Sequence, residues 1–261
     1  PKMPRYQFGM QVAGFDLKKA VSSQLEMFKN TAYGKLNFKM NGKGASFNTE
    51  PAKANLEASG NLAMTDAQFA SIDVNKMAGE AVNKALEGVA GQIPGLKGKK
   101  LVLGNVQTGY ERMTANFSIS KGSFSMPDFS AYSGKYRGLD VKGATTIGLK
   151  DYKLAAHWEV IDSNNVTGAS NLTVESNGVR VERILCEPGQ PVRFPIDVGG
   201  TLFAPAPSYT SVAESLTKVA LANVARAAGA KLKQEATNKV KQELQKVVPN
   251  ELKKALEGIK F

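Results

Sequence analysis

Two residues that could act in catalysis or bind a metal occur only once each in this chain of 261 residues: His157 and Cys186. A histidine can act as the base of a Ser-His-Asp triad, but the chain has no Gly-x-Ser-x-Gly turn to present the serine. A zinc site needs three or four nitrogen, sulfur or oxygen ligands, and Cys186 has no second cysteine beside it. We expect His157 to be a solvated strand residue and Cys186 to be inert, with a hydrolase that uses His157 as the alternative.

The glycine-rich segments do not match the loops that bind phosphates. Residues 91–100 (GQIPGLKGKK) place Ile93 where such a loop needs glycine, and Lys100 where a serine or threonine would bind magnesium. Residues 42–44 (GKG) lack the third glycine of a dinucleotide-binding loop. The carboxylates form no cluster. The sequence therefore predicts a protein that is not an enzyme and needs neither a cofactor nor a metal.

The chain is basic, with 34 Lys and Arg against 23 Asp and Glu and a formal net charge of +11. Excess positive charge favours anionic partners, either phospholipid head groups or nucleic acid. The basic residues are spread along the chain, are mostly lysine and fall in no nucleic-acid-binding motif. We therefore predict no nucleic-acid partner; lysines on solvated faces are the simpler explanation of the charge.

The elements that carry these residues are mostly strands of alternating polarity. Leu36, Phe38 and Met40 alternate with polar residues in a strand that we expect to end at Gly42 and Gly44. The same pattern predicts strands near residues 6–12, 55–65, 110–126, 139–149, 154–160, 172–181 and 191–203. Short turns between them predict antiparallel pairing in sequence order.

Two amphipathic helices are predicted in the first half, from Asp16 to about residue 29 and from Asp73 to about residue 90. The predicted fold is α+β and β-rich: a curved antiparallel sheet, shaped as a groove, with amphipathic helices and a helical C-terminal tail. The helices either close the apolar face of the sheet or leave it as an open trough. Alternation alone does not decide between the two.

Near residue 208 the alternating strand pattern gives way to helical spacing with many lysines. This change predicts a sheet domain over 1–208 and a basic helical tail over 209–261. We expect Pro205 and Pro207 to end the sheet, Gly229 to be a possible interruption of the helix, and Pro249 to end it. Such a tail either packs on its own domain or lies on a membrane surface or a partner protein. No stretch reaches 18 apolar residues, and no signal peptide is visible, so any anchor is expected outside this chain.

Several short motifs, taken in order, resemble one known family. They are YERMTANFSISKG (110–122), GATTIGL (143–149) and FPIDVGGTLFAP (194–205), preceded by AYGKL (32–36), GKG (42–44) and ASGNL (58–62). Together they resemble the C-terminal region of the AsmA-like proteins over about residues 5–208. The chain departs from that pattern at Gly143-Ala144-Thr145, where the family more often has Gly-x-Gly, and in its long lysine-rich tail.

The resemblance implies an envelope protein of Gram-negative bacteria that contributes to outer-membrane biogenesis. Its body would lie in the periplasm, and an inner-membrane anchor would lie outside this chain. The family's members are implicated in phospholipid transport and are not enzymes. The alternative is an envelope scaffold that docks another protein through a sheet edge or through the basic tail.

The predicted lipid-binding residues are apolar residues that share one face within each strand. No polar recognition site is needed to hold an acyl chain, because apolar burial alone supplies the free energy. Ten residues are predicted to face the groove: Leu36, Phe38, Met40, Phe117, Ile119, Leu154, Trp158, Phe194, Ile196 and Val198.

Overall fold

The computed structural model describes residues 3–18, 32–46, 48–69, 73–101, 108–176 and 178–247. Over these ranges it contains strands and helices in the proportions of a β-rich α+β fold. The strands are β1 (Arg5–Asp16), β2 (Ala32–Ala45), β3 (Glu57–Phe69), β4 (Gly109–Ser120), β5 (Ser123–Tyr132), β6 (Asp140–Gly148), β7 (Leu154–Asp162), β8 (Val174–Ser176), β9 (Val179–Val181), β10 (Val192–Thr201) and β11 (Ala204–Ser208). The helices are α1 (Thr49–Asn55), α2 (Val74–Val89) and α3 (Thr210–Val247).

Nine of the strands form one open antiparallel sheet in the order β1-β2-β3-β4-β5-β6-β7-β10-β11. Strands that follow one another in the chain pair with each other, except that β7 pairs with β10. Short turns join β4 to β5, β6 to β7 and β10 to β11. At one such turn Lys121 and Gly122 both have positive φ, 50° and 72°, as a two-residue hairpin requires. Strands β8 and β9 leave this order and form a separate hairpin. The predicted fold, a curved antiparallel sheet with a C-terminal helix, is confirmed.

The register gives the sheet two faces of different composition. Directly opposed residues share a face, so Phe8, Met40, Phe117, Trp158 and Ile196 all lie on one side, which we call the inner face. The opposite side is the outer face, and its residues are mostly polar. Examples of outer-face residues are Lys39, Asn116, His157 and Asp197.

Helices α2 and α3 close one part of the inner face. Asp73 caps α2 by accepting a hydrogen bond from the backbone N–H of Lys76 at 3.0 Å. The first turns of α3 bury Val212, Leu216 and Ala220 in the same core as Phe194 on β10. Residues from the β7–β10 connection complete this core, among them Val166, Leu172, Ile184 and Leu185.

Several element boundaries differ from the sequence-based expectations. Strand β2 continues through Gly42 and Gly44, and a short helix, α1, precedes β3. Pro205 and Pro207 lie inside β11 rather than ending the sheet, because β11 is an edge strand and an edge tolerates a missing N–H. Strand β10 runs through Gly199 and Gly200 to Thr201.

The long helix also differs from expectation in one respect. Helix α3 passes through Gly229 without a break. The predicted helix after Asp16 falls mainly on residues 19–31, outside the described residues. So does the predicted break at Pro249.

Candidate functional site

The inner face extends beyond the closed core onto strands β1 to β4. One row across these strands is Met10, Met40, Gly60 and Phe117, and the next is Phe8, Gly42, Ala58 and Ile119. Alternate positions on every strand are therefore apolar or glycine. A depression of about 850 Å³ near this row is lined mainly by outer-face residues, among them Gln7, Lys43, Glu57 and Ser118, so it is not part of the inner face.

Aromatic rings from neighbouring strands lie directly over glycines of the inner face. A Cβ at Gly42 would lie 2.6 Å from Cζ of Phe8, and a Cβ at Gly60 would lie 2.7 Å from Cζ of Phe117. A Cβ at Gly44 would overlap the ring of Tyr6. With no side chain beneath them, the rings come close to the sheet backbone. The inner face of β1–β4 is therefore shallow and apolar.

An aromatic stack lies at the centre of this surface. The ring of Phe117 lies between Phe38 and Phe124, with both pairs of ring centroids 5.2 Å apart. Such offset stacking adds to the burial energy of each ring. Because it is covered on both sides, Phe117 is only 3% exposed although it lies outside the main core.

The ten predicted site residues divide into two groups. Phe38, Met40 and Ile119 are half-buried on the inner face around the buried Phe117, and the half-buried Leu36 packs against the closed core. The other five lie in the closed core, where protein atoms surround them: Leu154, Trp158, Phe194, Ile196 and Val198. The expectation that all ten line one groove is corrected for this second group, because α2, α3 and the β7–β10 connection cover that part of the sheet.

The most exposed apolar residues of the inner face were not among the ten. Met10 on β1 is 47% exposed and pairs with Met40, and Phe15 is 44% exposed. Alternation over Tyr6, Phe8, Met10 and Val12 carries the signal that could have identified them. A bulge between Val12 and Phe15 changes the parity of β1, so Phe15 also lies on the inner face, opposite Leu36.

The outer face carries ion pairs between neighbouring strands. Glu159 on β7 lies between Lys142 on β6, at 3.2 Å, and Arg193 on β10, at 3.8 Å. On β2 and β3, Lys43 and Glu57 are 3.0 Å apart. Positive and negative charges alternate along these contacts. The outer face is therefore solvated and does not concentrate charge of one sign into an ion-binding site.

His157 lies on the outer face beside Asp197, as the pattern predicted for a solvated strand residue. Its Nδ1 is 2.5 Å from Oδ1 of Asp197, and the hydroxyl of Ser211 donates to Oδ2 of the same carboxylate at 3.0 Å. The hydrogen bond from His157 lowers the pKa of Asp197. In a catalytic triad the serine contacts the histidine, whereas here the serine contacts the aspartate. This arrangement links β7, β10 and α3.

Cys186, the other residue that could act in chemistry, is packed inside the fold. Cys186 is buried and free, and its carbonyl accepts a hydrogen bond from the Asn223 side chain on α3 at 2.8 Å. Among the residues that the structure describes, no three His, Cys, Asp or Glu side chains are placed to hold a metal ion.

Over the same residues no helix is both long enough and apolar enough to cross a bilayer. Comparisons with protein-family models, with curated proteins and with solved structures found no match.

Proposed function

We propose that this chain is a non-enzymatic lipid-handling module of the AsmA-like kind, which holds phospholipid acyl chains against the inner face of β1–β4. The observation that carries the proposal is that the apolar face does not end where the helices end. It continues over Phe8, Met10, Phe38 and Met40, which are half-buried or exposed. Contiguous apolar surface that is partly exposed is typical of a surface that binds a partner or ligand.

The chemistry of the surface fits an acyl chain better than a polar ligand. The inner face offers rings, methionines and glycines and no cluster of hydrogen-bonding groups. Burying one CH₂ contributes about 0.8 kcal/mol, so a 16-carbon chain could supply on the order of 10 kcal/mol. An acyl chain that lies on a sheet buries only the side that faces the protein. The apolar contribution is therefore reduced to about 5 kcal/mol before entropy costs. Weak, exchangeable binding of this kind suits transport.

The proposal places the acyl chains on the inner face and the head groups in water at its rim. The periplasm, with an anchor in the inner membrane, is the location that the resemblance implies.

Photo-cross-linking from two adjacent positions on β2 tests the proposal. A photoreactive amino acid at Met40 faces inward, whereas the same amino acid at Lys39 faces outward. The protein is made in a Gram-negative host and irradiated in cells, and adducts are identified by mass spectrometry. Lipid adducts at position 40 and none at position 39 are expected. Equal labelling at both positions, or none at position 40, would refute the proposal.

A scaffold that docks a protein through a sheet edge is the second candidate, and one observation favours it. Strand β1 is a long edge strand that pairs only with β2 among the described residues. Charged residues occur only at its ends, Arg5 and Asp16, so the middle of this edge carries no charge that would oppose pairing with another strand. A photoreactive residue at Gln11 separates the candidates, because a scaffold would give protein adducts there.

A further inference from the structure

Helix α3 has two apolar stripes that point in different directions. The first contains Val212, Leu216 and Ala220 and packs into the core. The second contains Leu221, Ala225, Leu232, Ala236 and Val240, and we call it the outer stripe. At 3.6 residues per turn, Leu232 points about 160° away from Leu216. The outer stripe is therefore not a continuation of the packed one.

The outer stripe is exposed along its whole length. Leu221 is 40% exposed, Leu232 67% and Val240 59%. Every residue from Gly229 to Gln242 is exposed, and Lys231 Nζ donates a hydrogen bond to the carbonyl of Gly178 at 3.1 Å. Beyond Lys231 the helix projects from the sheet domain. From Leu221 to Val240 the stripe is about 29 Å long.

Basic residues accompany this stripe. Over Thr210–Val247, α3 has seven basic residues and three acidic ones, Glu214, Glu235 and Glu243, which gives a net charge of +4. Lys233 lies on one side of the stripe and Lys239 on the other, as helical spacing requires. Among the described residues no ion pair joins a basic side chain of α3 to a carboxylate.

We propose that the outer stripe of α3 docks the protein on an anionic lipid bilayer, with the helix lying flat in the head-group region. Apolar residues flanked by lysines are the pattern of helices that lie in such an interface. The like charge of +4 opposes a second copy of the helix on the same stripe. The stripe is separate from the inner face of β1–β4, so this inference goes beyond the proposed function and does not depend on it.

The composition of the outer stripe determines how much of the binding free energy is apolar and how much is electrostatic. Alanine occupies several of its positions, and only Leu221, Leu232 and Val240 offer large apolar side chains. The apolar contribution is therefore small, and attraction between lysines and anionic head groups must supply much of the affinity. Docking is expected to be reversible and to weaken as salt is added.

Vesicle co-sedimentation with the full chain tests the proposal. The probes are phosphatidylcholine vesicles with and without phosphatidylglycerol. Binding is expected only to the anionic vesicles and should fall at high salt. No binding to anionic vesicles would overturn the proposal.

Two charge reversals on the same helix provide a matched pair. Lys233→Glu changes the charge at the edge of the stripe by two units and should lower the partition coefficient about 25-fold, since each charge near an anionic surface contributes about fivefold. Lys241→Glu makes the same change on the opposite side of the helix and should lower the coefficient less than about threefold. Equal losses in the two variants would mean adsorption by net charge and would overturn the assignment to this stripe.

The double variant Leu232→Gln with Val240→Gln tests the apolar part. Both side chains are exposed, so circular dichroism and thermal unfolding should show an unchanged fold, while vesicle binding should fall. Unchanged binding would refute a role for the stripe. A dimer detected by light scattering in the parent chain and lost in this variant would assign the stripe to self-association and also overturn the proposal.

Discussion

The rings of Phe38 and Phe117 are stacked, with centroids 5.2 Å apart and planes inclined by only 10°. Phe38 lies on β2 and Phe117 on β4, so the contact spans the intervening strand β3 above Gly60. The stack lies on the open part of the inner face, outside the closed core. Its energetics can be measured separately from lipid binding.

Replacing Phe117 with alanine should destabilise the protein strongly. The ring is buried between two others, so its removal leaves a cavity and ends both stacking contacts; a loss of about 3–5 kcal/mol in the free energy of unfolding is expected. Urea denaturation measures it. Phe203→Ala is the control, because that ring is 46% exposed and contacts Tyr152 edge-on, and it should cost less than about 1 kcal/mol. Similar losses would contradict the assigned stack.

The same substitution at two glycines should have opposite effects. Gly60→Ala would press a methyl group into the ring of Phe117 and the carbonyl of Lys39, which demands a backbone shift. A loss of about 1–3 kcal/mol is expected. Gly88→Ala on α2 meets no atom within 4 Å and should stabilise the protein by about 0.5–1 kcal/mol, because alanine is the better helix former. Thermal unfolding of both variants gives the sign directly.

The contact between His157 and Asp197 should be visible in the titration of the aspartate. Its pKa is lower in the folded protein than in the unfolded chain, because His157 and Ser211 donate to its carboxylate. The stabilisation is therefore present above the ordinary aspartate pKa and is lost as pH falls through the lowered value.

In His157→Ala the pKa of Asp197 should rise towards its ordinary value, as NMR titration can detect. Both side chains are largely exposed, so stability near neutral pH should fall by less than about 1 kcal/mol. Ser211→Ala should shift the pKa less, because its contribution is smaller than that of His157. An unchanged pKa in His157→Ala would show that the contact is absent in solution.

A charge on the inner face should remove lipid without unfolding the protein. Met40→Glu places a carboxylate on the proposed acyl-chain surface, and lipid recovered by extraction and mass spectrometry should fall at least about fivefold, since an unpaired charge is costly against hydrocarbon. Lys39→Glu is the matched control on the outer face and should leave lipid recovery unchanged. Circular dichroism checks the fold of both. Equal recovery from the two variants would contradict the lipid-handling proposal.

Much of the fold could be predicted from local pattern. Period-two alternation located the strands of the sheet, and the spacing after Asp73 located α2. Errors arose where glycine and proline were treated as element breakers. Gly42 and Gly44 stay within β2 because rings from β1 cover them, and Pro205 and Pro207 stay within β11 because it is an edge strand. Both depend on neighbours that are distant in sequence.

The candidate site could be predicted only in part. The alternation placed Met40, Phe117, Trp158 and Ile196 each on the apolar side of its own strand, and the register places them on one common face. The spacing and composition of the residues after 208 also predicted a helical, basic tail. These properties are local, since strand parity and helix spacing follow from the backbone itself.

Only the tertiary structure decided which part of that face is covered. Helices α2 and α3 pack over Trp158 and Ile196, whereas Met10 and Met40 keep partial exposure. A strand's alternation is the same whether a helix or a ligand lies against it, because hydrophobic burial has no direction and does not depend on the identity of the apolar partner. The sequence by itself therefore determined the two-faced sheet and the helices, and long-range packing decided where the apolar face stays available.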